Sequence, residues 1–101
     1  MIRHLVLFEL ADEAEGATKA ENALQIKERL EALRGVIPEI RKMEVKLNHP
    51  GAPAGNYDVV LDSEFESLED LRAYAVHPEH LKVGEFIAKV RTARAAIDYE
   101  Y

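Results

Sequence analysis

Apolar residues recur along this chain with two alternating periods, and the switches between them mark out the elements. Ile2 to Leu10 is an apolar run of strand length in which Ile2, Val6, Phe8 and Leu10 share one face with His4, while Leu5 and Leu7 lie on the other. Both faces of that strand are therefore expected to be buried. Asp12 to Gly16 reads as a polar, acidic loop. The period then lengthens. Ala20, Ala23, Ile26, Leu30, Leu33 and Ile37 recur at steps of three and four, with Glu21, Lys27, Glu28, Arg29 and Glu31 on the remaining surface. This predicts a long amphipathic helix that stops at Gly35, just ahead of Pro38.

Period two returns at Met43, Val45 and Leu47, which alternate with Lys42, Glu44 and Lys46 as in a half-buried strand. Asn48 to Asn56 is the one loop rich in glycine and proline, and it joins two strands. Tyr57, Val59, Leu61 and Phe65 then alternate with Asp58, Asp62 and Glu64. Ser67, followed by Glu69 and Asp70, caps a short helix with Leu68, Leu71, Tyr74 and Ala75 on its apolar side. His77-Pro78 breaks it, because a residue before proline disfavours the helical region. Pro78 suits the first turn of a further helix carrying Val83, Phe86, Ile87 and Val90. Ala95, Ile97, Tyr99 and Tyr101, alternating with Ala96, Asp98 and Glu100, close the chain as a strand. The order β-α-β-β-α-(α)-β predicts an α+β, ferredoxin-like domain over residues 1–101, a four-stranded antiparallel sheet with helices on one face.

Helices on one face leave the other bare, and here it carries Leu5, Leu7 and Val60. An apolar sheet face of that kind marks an interaction surface. An identical sheet is the simplest partner, so the expected assembly is a twofold homodimer through the Leu5 and Leu7 face.

Composition narrows the function. The chain has 101 residues, no cysteine, and thirteen Lys+Arg against nineteen Asp+Glu, for a net charge of −6. Disulfides, thiolate metal sites and a cysteine nucleophile are excluded. Nucleic acid, which needs a clustered basic face, is not an expected partner. No segment approaches the roughly 20 apolar residues of a membrane span. Met1-Ile2-Arg3-His4 runs directly into the first strand without the regions of a signal peptide, so a cytoplasmic location is expected.

Four side chains are candidates for chemistry: His4 on an apolar strand face, Tyr74 near the end of a helix, and His77 and His80 astride the break after it. Each also has a packing reading, and His77 is placed to cap the helix that opens at Pro78. His80 in a helix first turn is held towards its neutral form by the macrodipole, which suits a general base. His77 and His80 have no third ligand, since Glu79 projects away from both, so no metal is expected. No glycine-rich phosphate loop is present, and no cofactor is expected.

Ile2-Arg3-His4-Leu5-Val6-Leu7-Phe8, Ser63-Glu64-Phe65-Glu66-Ser67, Tyr74-Ala75-Val76-His77-Pro78-Glu79-His80 and Ile97-Asp98-Tyr99 resemble, in order, the stress-responsive A/B barrel (Dabb, dimeric α+β barrel) family. The resemblance implies a ferredoxin-like fold and a face-to-face dimer. The family includes stress-associated plant proteins and olivetolic acid cyclase, a polyketide cyclase that carries out an aldol condensation without a cofactor. By that resemblance His80 is the base, Tyr74 orients it or hydrogen-bonds a carbonyl oxygen, and His4 holds substrate. His77 matches the first histidine of the shared motif. The pocket lies between sheet and helices, with Val6, Phe8 and Leu61 as lining. The sequence departs from the cyclase at Leu30, Ile26 and Lys27, where the cyclase has pocket aromatics. Three readings follow: a homodimeric module binding a small organic ligand, a cofactor-independent proton-transfer enzyme, and a structural stress protein whose histidines are packing residues.

Overall fold

The structure, a computed structural model, describes all 101 residues. Strand β1 (Ile2–Leu10) lies inside the sheet because its alternation gives it a fully apolar helix-facing side, with Ile2, Val6, Phe8 and Leu10 all buried. A two-residue hairpin, β2 (Glu13–Ala14) and β3 (Ala17–Thr18), replaces the expected loop. Glu15 and Gly16 both take positive φ there, 50° and 74°. This is the backbone that a tight two-residue hairpin turn requires. Thr18 then caps α1 (Lys19–Glu31) in a capping box: its hydroxyl accepts the Glu21 N–H at 3.2 Å, and Glu21 Oε1 accepts the Thr18 N–H at 3.0 Å.

The helix ends at Glu31, earlier than expected. The apolar stripe nevertheless continues: Leu33 and Ile37 remain buried although they sit in turns, with the Ile37 N–H donating to the Leu33 carbonyl at 3.1 Å. Gly35, at φ 80°, supplies the left-handed step inside this turn rather than the helix stop. Periodicity reports which residues reach the core, and a turn places Leu33 and Ile37 there as well as another helical turn would. Four positions read as apolar-side, Ala20, Leu47, Leu68 and Ala75, are exposed instead. Asn22 is buried without having been expected, and its Nδ2 donates to the Ala14 carbonyl at 3.0 Å, tying the hairpin to the helix.

Strand β4 (Lys42–Leu47) follows as predicted and β5 (Val59–Phe65) starts after the expected Tyr57, then come α2 (Leu68–Val76), α3 (Pro78–Val90) and β6 (Arg91–Glu100). The last strand starts at Arg91, ahead of the expected Ala95. The sheet order is β4-β5-β1-β6, every pairing antiparallel, which is the ferredoxin-like arrangement. One core of nineteen buried side chains lies between this sheet and the helices, with Phe65, Ile26 and Met43 fully enclosed. No helix is long and apolar enough to cross a membrane.

The opposite sheet face is open in the single chain, as expected of a face that the helices leave bare. Leu7 is 38% exposed and Ile97 58%. The β1–β6 register puts Leu5 opposite Ile97 and Leu7 opposite Ala95, and the β1–β5 register adds Val60 beside Leu7. Next to this apolar strip lies an ion-pair network. Arg3 Nη2 donates to Glu64 Oε1 at 2.6 Å, and Lys42 Nζ to Asp62 Oδ2 at 3.1 Å.

Candidate functional site

The break between α2 and α3 is stitched by two histidines. Each helix end leaves backbone groups without intrahelical partners. His77 is the N-cap of α3, and its Nδ1 accepts the Glu79 N–H at 3.1 Å. His80 serves the other helix, its Nδ1 lying 3.0 Å from the Ala75 carbonyl oxygen. A carbonyl only accepts, so the His80 proton is assigned to Nδ1 and its Nε2 is the nitrogen left with a lone pair. The same bond sets the His80 ring against Tyr74, with centroids 4.3 Å apart.

Tyr74 is the most enclosed of the candidates, at 1% exposure. Its ring packs on Phe65 at 5.0 Å and meets His4 edge-on at 6.4 Å. Its hydroxyl has no hydrogen-bond partner. Burial pushes the phenol well above the usual tyrosine range, so it remains a neutral donor. His4, opposite Asp98 in the β1–β6 register, holds the Asp98 carboxylate on its Nδ1. That contact fixes the imidazole's orientation from the neighbouring strand.

Between β1, β5 and β6 on one side and α1 and α3 on the other is a cavity of about 170 Å³. Val6, Phe8 and Leu61 wall the sheet side, and Leu30 and Ile87 the helix side. At Gly84 a Cβ would meet nothing within 4 Å, so the glycine keeps the α3 side clear. His4 and His80 both line this cavity, as do Arg91 and Arg94 at the start of β6. The structure therefore brings together His4, His80, Val6, Phe8 and Leu61 from the predicted site. Tyr74 lies behind His80 and is not part of the wall. His77 also lies outside it, occupied with its helix cap. Larger hollows of about 540 and 600 Å³ lie against the segment around His49 and Asn56, away from every candidate histidine and tyrosine. The smaller cavity is the one where apolar walls converge with a perturbed titratable group.

That group is His80. Burial depresses its imidazole below the ordinary value, and the charges of His4, Arg94 and His77 act in the same direction, opposed by the Ala75 hydrogen bond. In a pH titration followed by NMR, the His80 ring signals are expected to move at a pH below that of a free imidazole, about 6.5. A midpoint at or above that value would remove the argument for a neutral base. Linkage gives a second readout. Below the unfolded-state value the unfolded chain takes a proton that folded His80 resists, so this residue's contribution makes stability fall as pH drops through that window.

Sequence reasoning missed Arg91, Arg94, Gly84 and Asp98. Asp98 and Arg94 were readable in principle: with β6 aligned on β1, Asp98 lies opposite His4 and Arg94 opposite Phe8, on the helix-facing side. Arg91 was not. A register shift between Glu9 and Leu10 adds a residue on β6, so Arg91 falls opposite Leu10. The irregularity returns Arg91 to the face that Arg94 already occupies, the side-chain re-aiming for which bulges are known.

No cluster of three or more His, Asp or Glu side chains is arranged to hold a metal ion. The sequence model of the Stress Responsive A/B Barrel Domain matches residues 2–101. The chain belongs to the stress-responsive A/B barrel family. An uncharacterised protein of Streptomyces coelicolor is 33% identical over 102 residues, covering 100% of both chains. A stress-response A/B barrel domain-containing protein of Arabidopsis thaliana is 34% identical over 83 residues, which are 82% of this chain and 30% of that protein. Among solved structures, a dimeric protein of unknown function and ferredoxin-like fold from Bacteroides fragilis superposes with a TM-score of 0.82 at 39% identity, covering 99% of this chain and 95% of that one. The Tyr74 to His80 segment on which the family resemblance rests is thus, in this A/B barrel, the stitched helix break beside the cavity.

Proposed function

We propose that this A/B barrel protein is a homodimer in which each subunit binds a small organic molecule in the cavity between sheet and helices. The observation that carries the reading is the state of His80: its Nδ1 is occupied by the Ala75 carbonyl, and its other nitrogen remains for a ligand in a cavity of about 170 Å³ that has apolar walls. The open apolar strip around Leu5, Leu7 and Ile97, and the dimeric state of the B. fragilis relative, support the assembly. A second reading has one observation in its favour. An unpartnered, buried hydroxyl lies beside a base disposed to be neutral, and that pair suits cofactor-independent proton abstraction next to a carbonyl, His80 Nε2 taking the proton. Tyr74 stands behind His80 rather than in the cavity wall, so in that chemistry it is a positioning residue.

Native mass spectrometry of the protein from its own source tests the binding reading. A dimer carrying a small organic molecule is the expected result. His80→Ala should lose that molecule while costing about 1 kcal/mol of stability, the net worth of one hydrogen bond. Undiminished occupancy in that variant would remove His80 from the site. A loss of several kcal/mol would instead make it a packing residue.

A further inference from the structure

The charges around the cavity do not match those of the chain. The protein has a net charge of −6, yet no aspartate or glutamate lines the cavity, whose titratable residues are His4, His80, Arg91 and Arg94. Arg3, Arg34 and Arg41 each lie within 4 Å of a carboxylate. Arg91 and Arg94 form no ion pair and no side-chain hydrogen bond, although 19 acidic residues are available in the sequence. The nearest acid by register is Glu9, opposite Ala93; it alternates with Phe8 and Leu10 and accepts the Thr92 hydroxyl at 2.8 Å. Asp98, on the cavity side, is engaged by His4. Two guanidinium groups three residues apart on a strand would ordinarily project to opposite faces. Here the irregularity opposite Glu9 and Leu10 puts both on the cavity side.

We propose that the cavity is built for a small organic anion, a single ring or similarly compact apolar body bearing a carboxylate that Arg94, with Arg91, receives at the β6 side. This rests on the small-molecule reading above and deepens it. Guanidinium matches carboxylate geometry through paired N–H donors, and the match strengthens where water is partly excluded. The volume sets the size of the apolar part: a protein cavity of about 150 Å³ accepts benzene, and this one is about 170 Å³. The apolar wall of Val6, Phe8, Leu61 and Ile87 receives the ring, while His80 Nε2 accepts a hydrogen bond from any hydroxyl it carries.

The probes are benzoate, its neutral counterpart benzyl alcohol, and inorganic phosphate, each titrated into the protein and followed by NMR. Benzoate is expected to bind saturably and to shift the His80 and Arg94 side-chain signals, with benzyl alcohol about tenfold weaker or more, the scale of one charge-assisted hydrogen bond. Arg94→Gln should weaken benzoate by a similar factor and leave benzyl alcohol unchanged. Arg91→Gln is the second variant, read in the same way, and both residues are exposed on an edge strand where replacement spares the core. Equal affinity for benzoate and benzyl alcohol, with no effect of either variant, would overturn the anion inference and leave the small-molecule reading standing. Phosphate binding as tightly as benzoate would overturn the ring-bearing class. Failure of benzoate to bind would overturn the inference, while the small-molecule reading stands or falls with the native mass spectrum.

Discussion

Replacing Leu7 by glutamate is expected to turn the dimer into monomers in sedimentation equilibrium, with the monomer still folded. Leu7 is 38% exposed in the single chain, so the monomer loses little by the change. A face-to-face assembly of two sheets is different, because packed sheets stand about 10 Å apart with interdigitated side chains and no room for water. A carboxylate there loses its hydration without gaining a partner, a penalty of several kcal/mol per ion, and twofold symmetry places two of them in one interface. At about 1.4 kcal/mol per factor of ten, the affinity of the subunits for each other should fall by a factor of about a hundred or more. Leu24→Glu is the control: Leu24 is 47% exposed on α1, on the helix layer, and that variant should remain dimeric. A compact dimer that survives Leu7→Glu would mean that the subunits meet elsewhere, and the strip of Leu5, Leu7, Val60 and Ile97 would need another partner.

The second large effect is expected at Tyr74, where two substitutions should act in opposite directions. Tyr74→Ala empties a fully enclosed site packed on Phe65 and His80, and removal of a buried aromatic costs about 3–5 kcal/mol. Tyr74→Phe keeps the ring and removes only a buried hydroxyl that has no partner. Burying such a group without a hydrogen bond costs about 1–3 kcal/mol, so the phenylalanine variant should be as stable as the parent or about 1 kcal/mol more stable. Urea denaturation checks both, the midpoint moving at an unchanged slope. The comparison also separates readings of the site. A hydroxyl retained at a cost in stability is the signature of function, since strained or unsatisfied groups persist where they are used. If Tyr74→Phe is clearly destabilising, the hydroxyl is held by a structural partner and the proton-transfer reading loses the observation that favours it.

Much of this was legible in the alternation of apolar positions, and the reasons are local. A strand with Ile2, Val6, Phe8 and Leu10 on one side can bury that side in only one register, since a shift of one residue would exchange every side chain between faces. Ser67 and His77-Pro78 place two helix boundaries because capping and the missing proline N–H act over a few residues. The Tyr74 to His80 segment and the histidine of the first strand pointed to the A/B barrel family, to which the chain belongs. What periodicity could not fix was the form of the segment after Glu31. Leu33 and Ile37 look alike whether a helix or a turn carries them into the core.

The candidate site divides in the same way. His4, Val6, Phe8, Leu61 and His80 were assigned to it through the family resemblance, while alternation along the strands showed only which of them share a face. The placement of Tyr74 behind His80, and of His77 at a helix cap, depended on how α2 and α3 meet, which no stretch of sequence encodes by itself. The arginines are the plainest case. Strand alternation assigns Arg91 and Arg94 to opposite faces, and one extra residue in the pairing of β6 with β1 puts them on the same one. Local patterning determined the strands, the caps and the apolar faces, because those depend on neighbours in the chain. The charge of the cavity was settled by the pairing of the first strand with the last, at opposite ends of the chain, where a single irregularity reverses which side a guanidinium faces.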